Sequence, residues 1–434
     1  MQQLIFVILV SFAVTRNHAN AQDLDLASCL KMADTANLSL KNSSLDIGIN
    51  EEQRKVYLTG RYPKLIYSGD YKYNAIIPGQ VVPAAFFGGT PGTFSTVQFG
   101  VPFNLSNTLQ LNQILYNPQL NYGLTALRIN DEIVRIQDQM ATLDVKQQVA
   151  ATFFNLQGLY KQVSFIDSNI LNLDGLIANM QALVKQQIMI QNEVDKLVLS
   201  KLTLQETRNT LTTNILQLED YLKLLIGLPF DAEIQLVQDA IVEKTILVDT
   251  SEIYYPEMAL LEAQQRMNVE ERKGTKMSYL PNLSFYAAYN YNYNMKPADD
   301  FRVGIEGAFL GLRLDWTLFD GLEKHYQLKV NALNAEKIQN QKDYVSQQLE
   351  LRTRNAKRQI ELNTNALNLS KEKLALAQSI YNLTALKLKQ GLIGSNDLIL
   401  ADNGLQEAQA NLVSSYLLLR QAELEYIRSI GELK

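Results

Sequence analysis

The chain has 434 residues, a formal net charge of −5 and 20% charged residues. That length fits two or three ordinary domains or one elongated body, and a surface this acidic does not track a phosphate backbone, which argues against nucleic acid as a partner. A single cysteine, Cys29, excludes an intramolecular disulfide.

The chain opens on an apolar run from Leu4 to Val14, too short to span a bilayer as a helix, followed by the small-residue pattern Ala19-Asn20-Ala21. Residues 1–21 therefore read as a secretory signal peptide, although no Lys or Arg precedes the apolar run. Removing them takes Arg16 away and leaves a net charge of −6. No later run is apolar enough for a transmembrane helix, so an exported product is either soluble in the periplasm or crosses an outer membrane as a barrel. Leu26-Ala27-Ser28-Cys29 has the look of a lipoprotein acylation box, but it lies beyond the charged Asp23-Leu24-Asp25. A buried cysteine on the first helix is the favoured reading.

After Pro63, KLIYSGDYKYN alternates strictly. Leu65, Tyr67, Tyr71 and Tyr73 lie on one face, Ser68, Asp70, Lys72 and Asn74 on the other. After Pro281, NLSFYAAYNYNYN does the same with Leu283, Phe285, Ala287, Tyr289, Tyr291 and Tyr293 opposite a mostly polar row. Period-two alternation with an aromatic face suits a strand that meets lipid on one side and water on the other. No proline falls between 119 and 228 or after 297. Long helices are expected there, since proline costs about 3 kcal/mol in a helix interior. Their apolar positions, Leu197, Leu204, Leu211 and Leu218 in one stretch and Leu374, Ala377, Tyr381, Thr384 and Leu388 in another, form coiled-coil seams.

The chain is two copies of one unit. Tyr62-Pro63-Lys64-Leu65 recurs as Leu280-Pro281-Asn282-Leu283. Leu109–Asn117 recurs as Leu312–Asp320, shifted by 203, and Leu225-Ile226-Gly227 as Ser429-Ile430-Gly431, shifted by 204. Each unit reads helix, strand, turn, strand and two long helical segments. The boundaries are 22–228 for the first repeat, 229–255 for a segment between repeats, and 256–434 for the second. The first repeat carries about 15 extra residues between its strands, which an exposed loop tip tolerates.

Two units supply four strands, too few to close a barrel, and an open edge cannot sit in lipid. The chain is therefore expected to associate, three copies giving twelve strands. The run from Asp320 to Leu388 is roughly 70 residues, about 105 Å as helix, long enough to cross much of a periplasm. The fold class expected is α+β, a long α-helical coiled-coil barrel joined to a trimeric twelve-stranded transmembrane β-barrel.

This organisation resembles the outer-membrane efflux protein family, the TolC-like exit ducts of efflux and type I secretion systems. The likeness is carried by LDLASCLKMADTANLSLK, by YYPEMALLEAQQRMNVEERKGTKMSYLPNLSFYAAYNY, by WTLFDG at 316–321 and by QGLIGSNDL at 390–398. It implies a homotrimer in outer-membrane lipid, a twelve-helix periplasmic tunnel, an equatorial segment at 229–255, and docking to a periplasmic adaptor linked to an inner-membrane pump.

Gly391 and Gly394 interrupt a long helix where each costs about 1 kcal/mol relative to Ala, and so mark a reversal between two helices. Gly391, Leu392, Ile393, Gly394 and Ser395, with Ile188, Met189 and Ile190 of the first repeat, are the expected adaptor-docking tips. The first tip lacks glycine. Asp397 and Glu193 fall at matched positions just past the tips. The resemblance places acidic residues there at the periplasmic entrance, where a threefold ring of Asp397 favours cations; a helix-N-terminal carboxylate fits the same spacing. Leu400 stands where a second acid is frequent in the family.

Nothing in the sequence assembles an active site. His325 stands alone on a helix, and no Cys–His pair, metal-spaced cluster, nucleophile elbow or phosphate loop occurs after residue 21. No enzyme activity and no cofactor are expected, and Met180 and Met189 are too isolated to suggest metal handling. An efflux exit duct is the leading reading. A type I protein-secretion channel is its alternative within transport. A soluble periplasmic coiled-coil scaffold is the alternative outside it, and it leaves the tyrosine-rich strands unexplained.

Overall fold

The computed structural model describes residues 22–237 and 254–431. The signal-peptide expectation at 1–21 and most of the segment between repeats lie outside them. In chain order the elements are β1 (Gln22–Leu24), α1 (Leu26–Ala36), α2 (Leu38–Leu58), β2 (Lys64–Tyr73), β3 (Gly79–Pro83), β4 (Phe94–Gln98), β5 (Phe103–Tyr116), α3 (Pro118–Lys185) and α4 (Gln191–Ile226). There follow β6 (Ile234–Leu236), α5 (Pro256–Met277), β7 (Asn282–Lys296), β8 (Phe301–Asp315), α6 (Glu323–Lys389) and α7 (Ser395–Ser429). The two repeats thus have the same order of helix, two strands, a very long helix and a shorter one. The extra residues of the first repeat hold a small antiparallel hairpin, β3 with β4, where the sequence predicts only a turn. No helix among the described residues is long and apolar enough to cross a membrane.

Contacts divide the chain into two units. One comprises residues 46–135 and 260–342 and contains the four-stranded sheet, ordered β2-β5-β7-β8 and antiparallel throughout. The two hairpins share one register. Lys64 faces Asn112 in the first and Asn282 faces Asp315 in the second, positions that the repeat offsets of 218 and 203 carry onto each other without a slip. One face bears Leu65, Tyr67, Leu109, Leu111, Tyr289 and Leu310. On the other a polar ladder runs across the strands. Asn74 donates to Asn104 at 2.7 Å, Asn104 to Asn294 at 2.7 Å and Ser106 to Asn292 at 2.6 Å. Both edges of the sheet are unpaired among the described residues.

Each strand-to-helix junction is capped alike. Asn117 accepts from the Gln119 N–H at 2.9 Å, and Asp320, 203 residues on, accepts from the Leu322 N–H at 3.1 Å. Pro118 then opens α3, where its missing N–H costs nothing.

Of the described residues, the other unit comprises 22–45, 136–237, 254–259 and 343–431. Its core at one end joins α1, α3, α4 and α7 around Val149, Leu156, Leu222 and Ile226, with the short parallel pair β1 and β6 alongside. Cys29 sits there fully buried within α1, and burial pushes its thiol up to about 11. At the helical tips a second cluster gathers Leu173, Met180, Val194, Leu197, Leu388 and Leu398. The seams expected from sequence point inward. Leu197, Leu204, Tyr381 and Leu388 are buried, and Leu211 and Leu374 pack against the same cluster.

Candidate functional site

The long helices end in two reversals, at 186–190 and 390–394. The second closes on Gly391 in the left-handed region (φ 70°), with the Gly391 N–H donating to the Leu388 carbonyl at 2.9 Å and the Leu392 N–H to the Lys387 carbonyl at 3.0 Å. This is the paired closure that a left-handed residue after a helix makes possible. The first tip has the same geometry without glycine. Gln187 takes φ 63°, and Gln187 and Ile188 donate to the carbonyls of Val184 at 2.9 Å and Leu183 at 3.0 Å. A left-handed conformation costs a residue with a Cβ roughly 1–2 kcal/mol, so Gln187→Gly is expected to stabilise the first tip and Gly391→Gln to destabilise the second. Amide exchange of residues 183–190 and 387–394 reads both effects. Unchanged protection in both variants would rule out this account of the turns.

The apolar residues at the tips divide into two sets. Leu392 (68% exposed), Ile188 and Ile190 (66% each) project outward. Met189 and Ile393, again 204 apart, turn inward onto the tip cluster. Ser395, expected on the docking surface, is fully buried. What covers it is Glu193 from the other repeat. The Ser395 N–H donates to Glu193 Oε2 at 2.8 Å, the Ser395 hydroxyl to the same oxygen at 2.5 Å, and Lys196 Nζ to Oε1 at 2.9 Å.

Helix α7 has Gly394 as its N-cap and no side-chain cap of its own. Glu193 supplies one from α4, placing a carboxylate where the free N–H groups and the dipole favour negative charge. The Ser395 hydroxyl, then Lys196 and the Ser395 N–H, hold its carboxyl down at about 2. Because the folded value lies below the ordinary 4.5, this contact contributes in full above that pH and is lost only as pH falls through about 2.

Asp397 occupies the matched place in α7 and is exposed in its first turn. The two acids grouped by the repeat therefore differ. Glu193 ties one tip to the other, and Asp397 is the open carboxylate. Five residues further along α7, Asp402 is 1% exposed, with one carboxylate oxygen lacking a hydrogen-bond partner, and the nearby Tyr381 hydroxyl, also buried, lacks one too. Nothing in the sequence sets Asp402 apart, because a lone acid on a helix looks solvated until the packing is known.

A repeated helical hairpin with a four-stranded antiparallel sheet of alternating faces is a fold found among solved bacterial outer-membrane proteins. The solved structures similar to this chain are of that kind. The outer membrane protein VceC of Vibrio cholerae matches at TM-score 0.71 and 13% identity, over 94% of this chain and 96% of that one. The Campylobacter jejuni CmeC outer membrane channel matches at TM-score 0.73 and 13% identity, over 94% and 85%. The Neisseria gonorrhoeae MtrE outer membrane channel, in its open state, matches at TM-score 0.70 and 15% identity, over 94% and 88%. No family profile and no curated protein sequence matches the chain.

Proposed function

We propose that this chain is the outer-membrane exit duct of a tripartite efflux system. Three copies form a twelve-stranded barrel in the outer membrane and a helical tunnel in the periplasm. The tips dock a periplasmic adaptor linked to an inner-membrane pump, and the protein performs no catalysis. The observation that carries the reading is the sheet. Its two faces differ as lipid and water require, and among the described residues both of its edges are left unpaired, which lipid does not tolerate in a single chain.

Helix α6 supports self-association independently. Leu362, Leu369, Leu376 and Leu383, seven residues apart, are 59%, 53%, 64% and 54% exposed, a second heptad seam with nothing over it among the described residues. At the tips, Leu392, Ile188 and Ile190 offer apolar side chains at a helical reversal, a surface suited to the hairpin of a partner.

Single-channel recording in planar bilayers tests the reading, with Asp397→Asn and Glu193→Gln beside the unaltered protein. Small openings that favour cations are expected. Asp397→Asn should weaken the cation preference, and Glu193→Gln should raise the open fraction by loosening the bond between tips. A protein that stays monomeric and never conducts would instead favour the soluble scaffold.

A further inference from the structure

Resting on the trimeric reading above, we infer that the edge strands β8 and β2 of neighbouring copies pair antiparallel in one register, with Leu312 opposite Tyr71 of the next copy and Arg313 opposite its Asp70. The inference comes from the internal repeat. Strand β5 is the second strand of the first repeat and β7 the first strand of the second, and they pair within the chain with Leu109 opposite Tyr289 and Gln110 opposite Ala288. Around a closed ring, β8 stands to the next copy's β2 as β5 stands to β7. The offset of 203 takes β5 onto β8, and the offset of 218 takes β7 back onto β2. Under the same offsets the hairpin register of the first repeat maps onto that of the second, which fixes their sum; their difference, which sets the register between copies, comes from the sequence repeat alone. Applied to β5 and β7, they set Leu109 and Tyr289 onto Leu312 and Tyr71, and Gln110 and Ala288 onto Arg313 and Asp70.

Two features of the edges agree with that register and do not enter its derivation. The first is the division of faces. The register sets Leu310, Leu312 and Leu314 against Tyr73, Tyr71 and Gly69, all on the apolar side. A slip of one residue would put leucines against Asp70 and Lys72. The second is charge. Asp70 and Arg313 are the only acid–base combination that the register brings directly opposite where both strands are regular, and an opposite-charge cross-strand pair is favourable where like charges are not. Within one chain Arg313 lies over the Tyr286 ring at 5.3 Å and Asp70 lies 3.8 Å from Lys72. Both side chains therefore sit on the water-lined face, where an ion pair is admissible.

The test is disulfide trapping in the full-length protein in its own outer membrane, in a Cys29→Ala background. Tyr71→Cys is combined in turn with Leu310→Cys, Leu312→Cys and Leu314→Cys. Directly opposite residues fall within the Cα separation a disulfide needs, and partners two residues off exceed it. The 71/312 pair is expected to give cross-linked trimer several-fold faster than either neighbour. Charge swapping supplies a second readout. Asp70→Arg and Arg313→Asp should each lower the yield of heat-modifiable trimer, and the double exchange should restore it. Trapping strongest at 310 or 314, or a double exchange no better than the singles, overturns the register and leaves the trimer standing. Absence of any trimer by amine cross-linking of the unaltered protein overturns both.

Discussion

Arginine at Leu109 is expected to abolish assembly in the outer membrane, while arginine at Gln110, the next residue along β5, is expected to be tolerated. Leu109 lies on the apolar face, 42% exposed in the single chain and opposite Tyr67 and Tyr289. Gln110 lies on the polar face, with its amide on Asn112 at 2.8 Å. A positive side chain toward lipid costs about 2–4 kcal/mol near the bilayer midplane. Repeated in every copy of a trimer, that penalty is comparable to the whole stability of many domains. The same charge one residue away meets water and costs little. Outer-membrane fractionation and heat-modifiable migration read the outcome. Equal loss in both variants, or in neither, would remove the ground for placing this sheet in a membrane.

Valine at Asp402 is expected to stabilise the helical unit by about 1–3 kcal/mol at neutral pH, the cost of a buried polar group left partly unpaired. One oxygen of Asp402 accepts from Gln406 at 2.6 Å; the other has no partner, and neither has the Tyr381 hydroxyl. The first repeat shows the apolar solution. The positions 204 earlier are Ile177, which is buried, and Val198, which packs on the same cluster. Burial raises the Asp402 carboxyl above its ordinary 3.8, so the folded state holds the proton more tightly than the unfolded chain does. Stability referred to this group is complete below 3.8 and is lost as pH rises through the raised value. Asp402→Val should therefore gain most near neutrality and little at about pH 3.5, with a flatter stability profile between. Tyr381→Phe should give a smaller gain of the same sign. Denaturant unfolding at the two pH values decides it. A gain independent of pH would place the cause in packing instead of charge.

Glu193 shows why some of the tip was not legible in the chain. By spacing, Glu193 and Asp397 are the same position in two repeats, and a pattern cannot tell them apart. What separates them is the neighbour across the tip, Ser395, which presents both an N–H and a hydroxyl to Glu193. The mirror-image position in the first repeat is Gln191, which has no hydroxyl to offer. Gln187 is a similar case. Its side chain gives no sign of a left-handed backbone, and only the closure of α3 onto Leu183 and Val184 imposes it.

The sequence by itself determined the repeat, the long helices and the two-faced strands. Each of these is a local matter, set by where proline is absent and by apolar periods of seven and two that hydrogen-bonded backbone geometry converts directly into faces. Tertiary structure alone decided which carboxylate caps a helix, which is buried and which stays open, and which of the tip's apolar residues point outward. Those outcomes depend on atoms some 200 residues apart meeting at one place, as Glu193 and Ser395 do, and a local period carries no record of such a meeting.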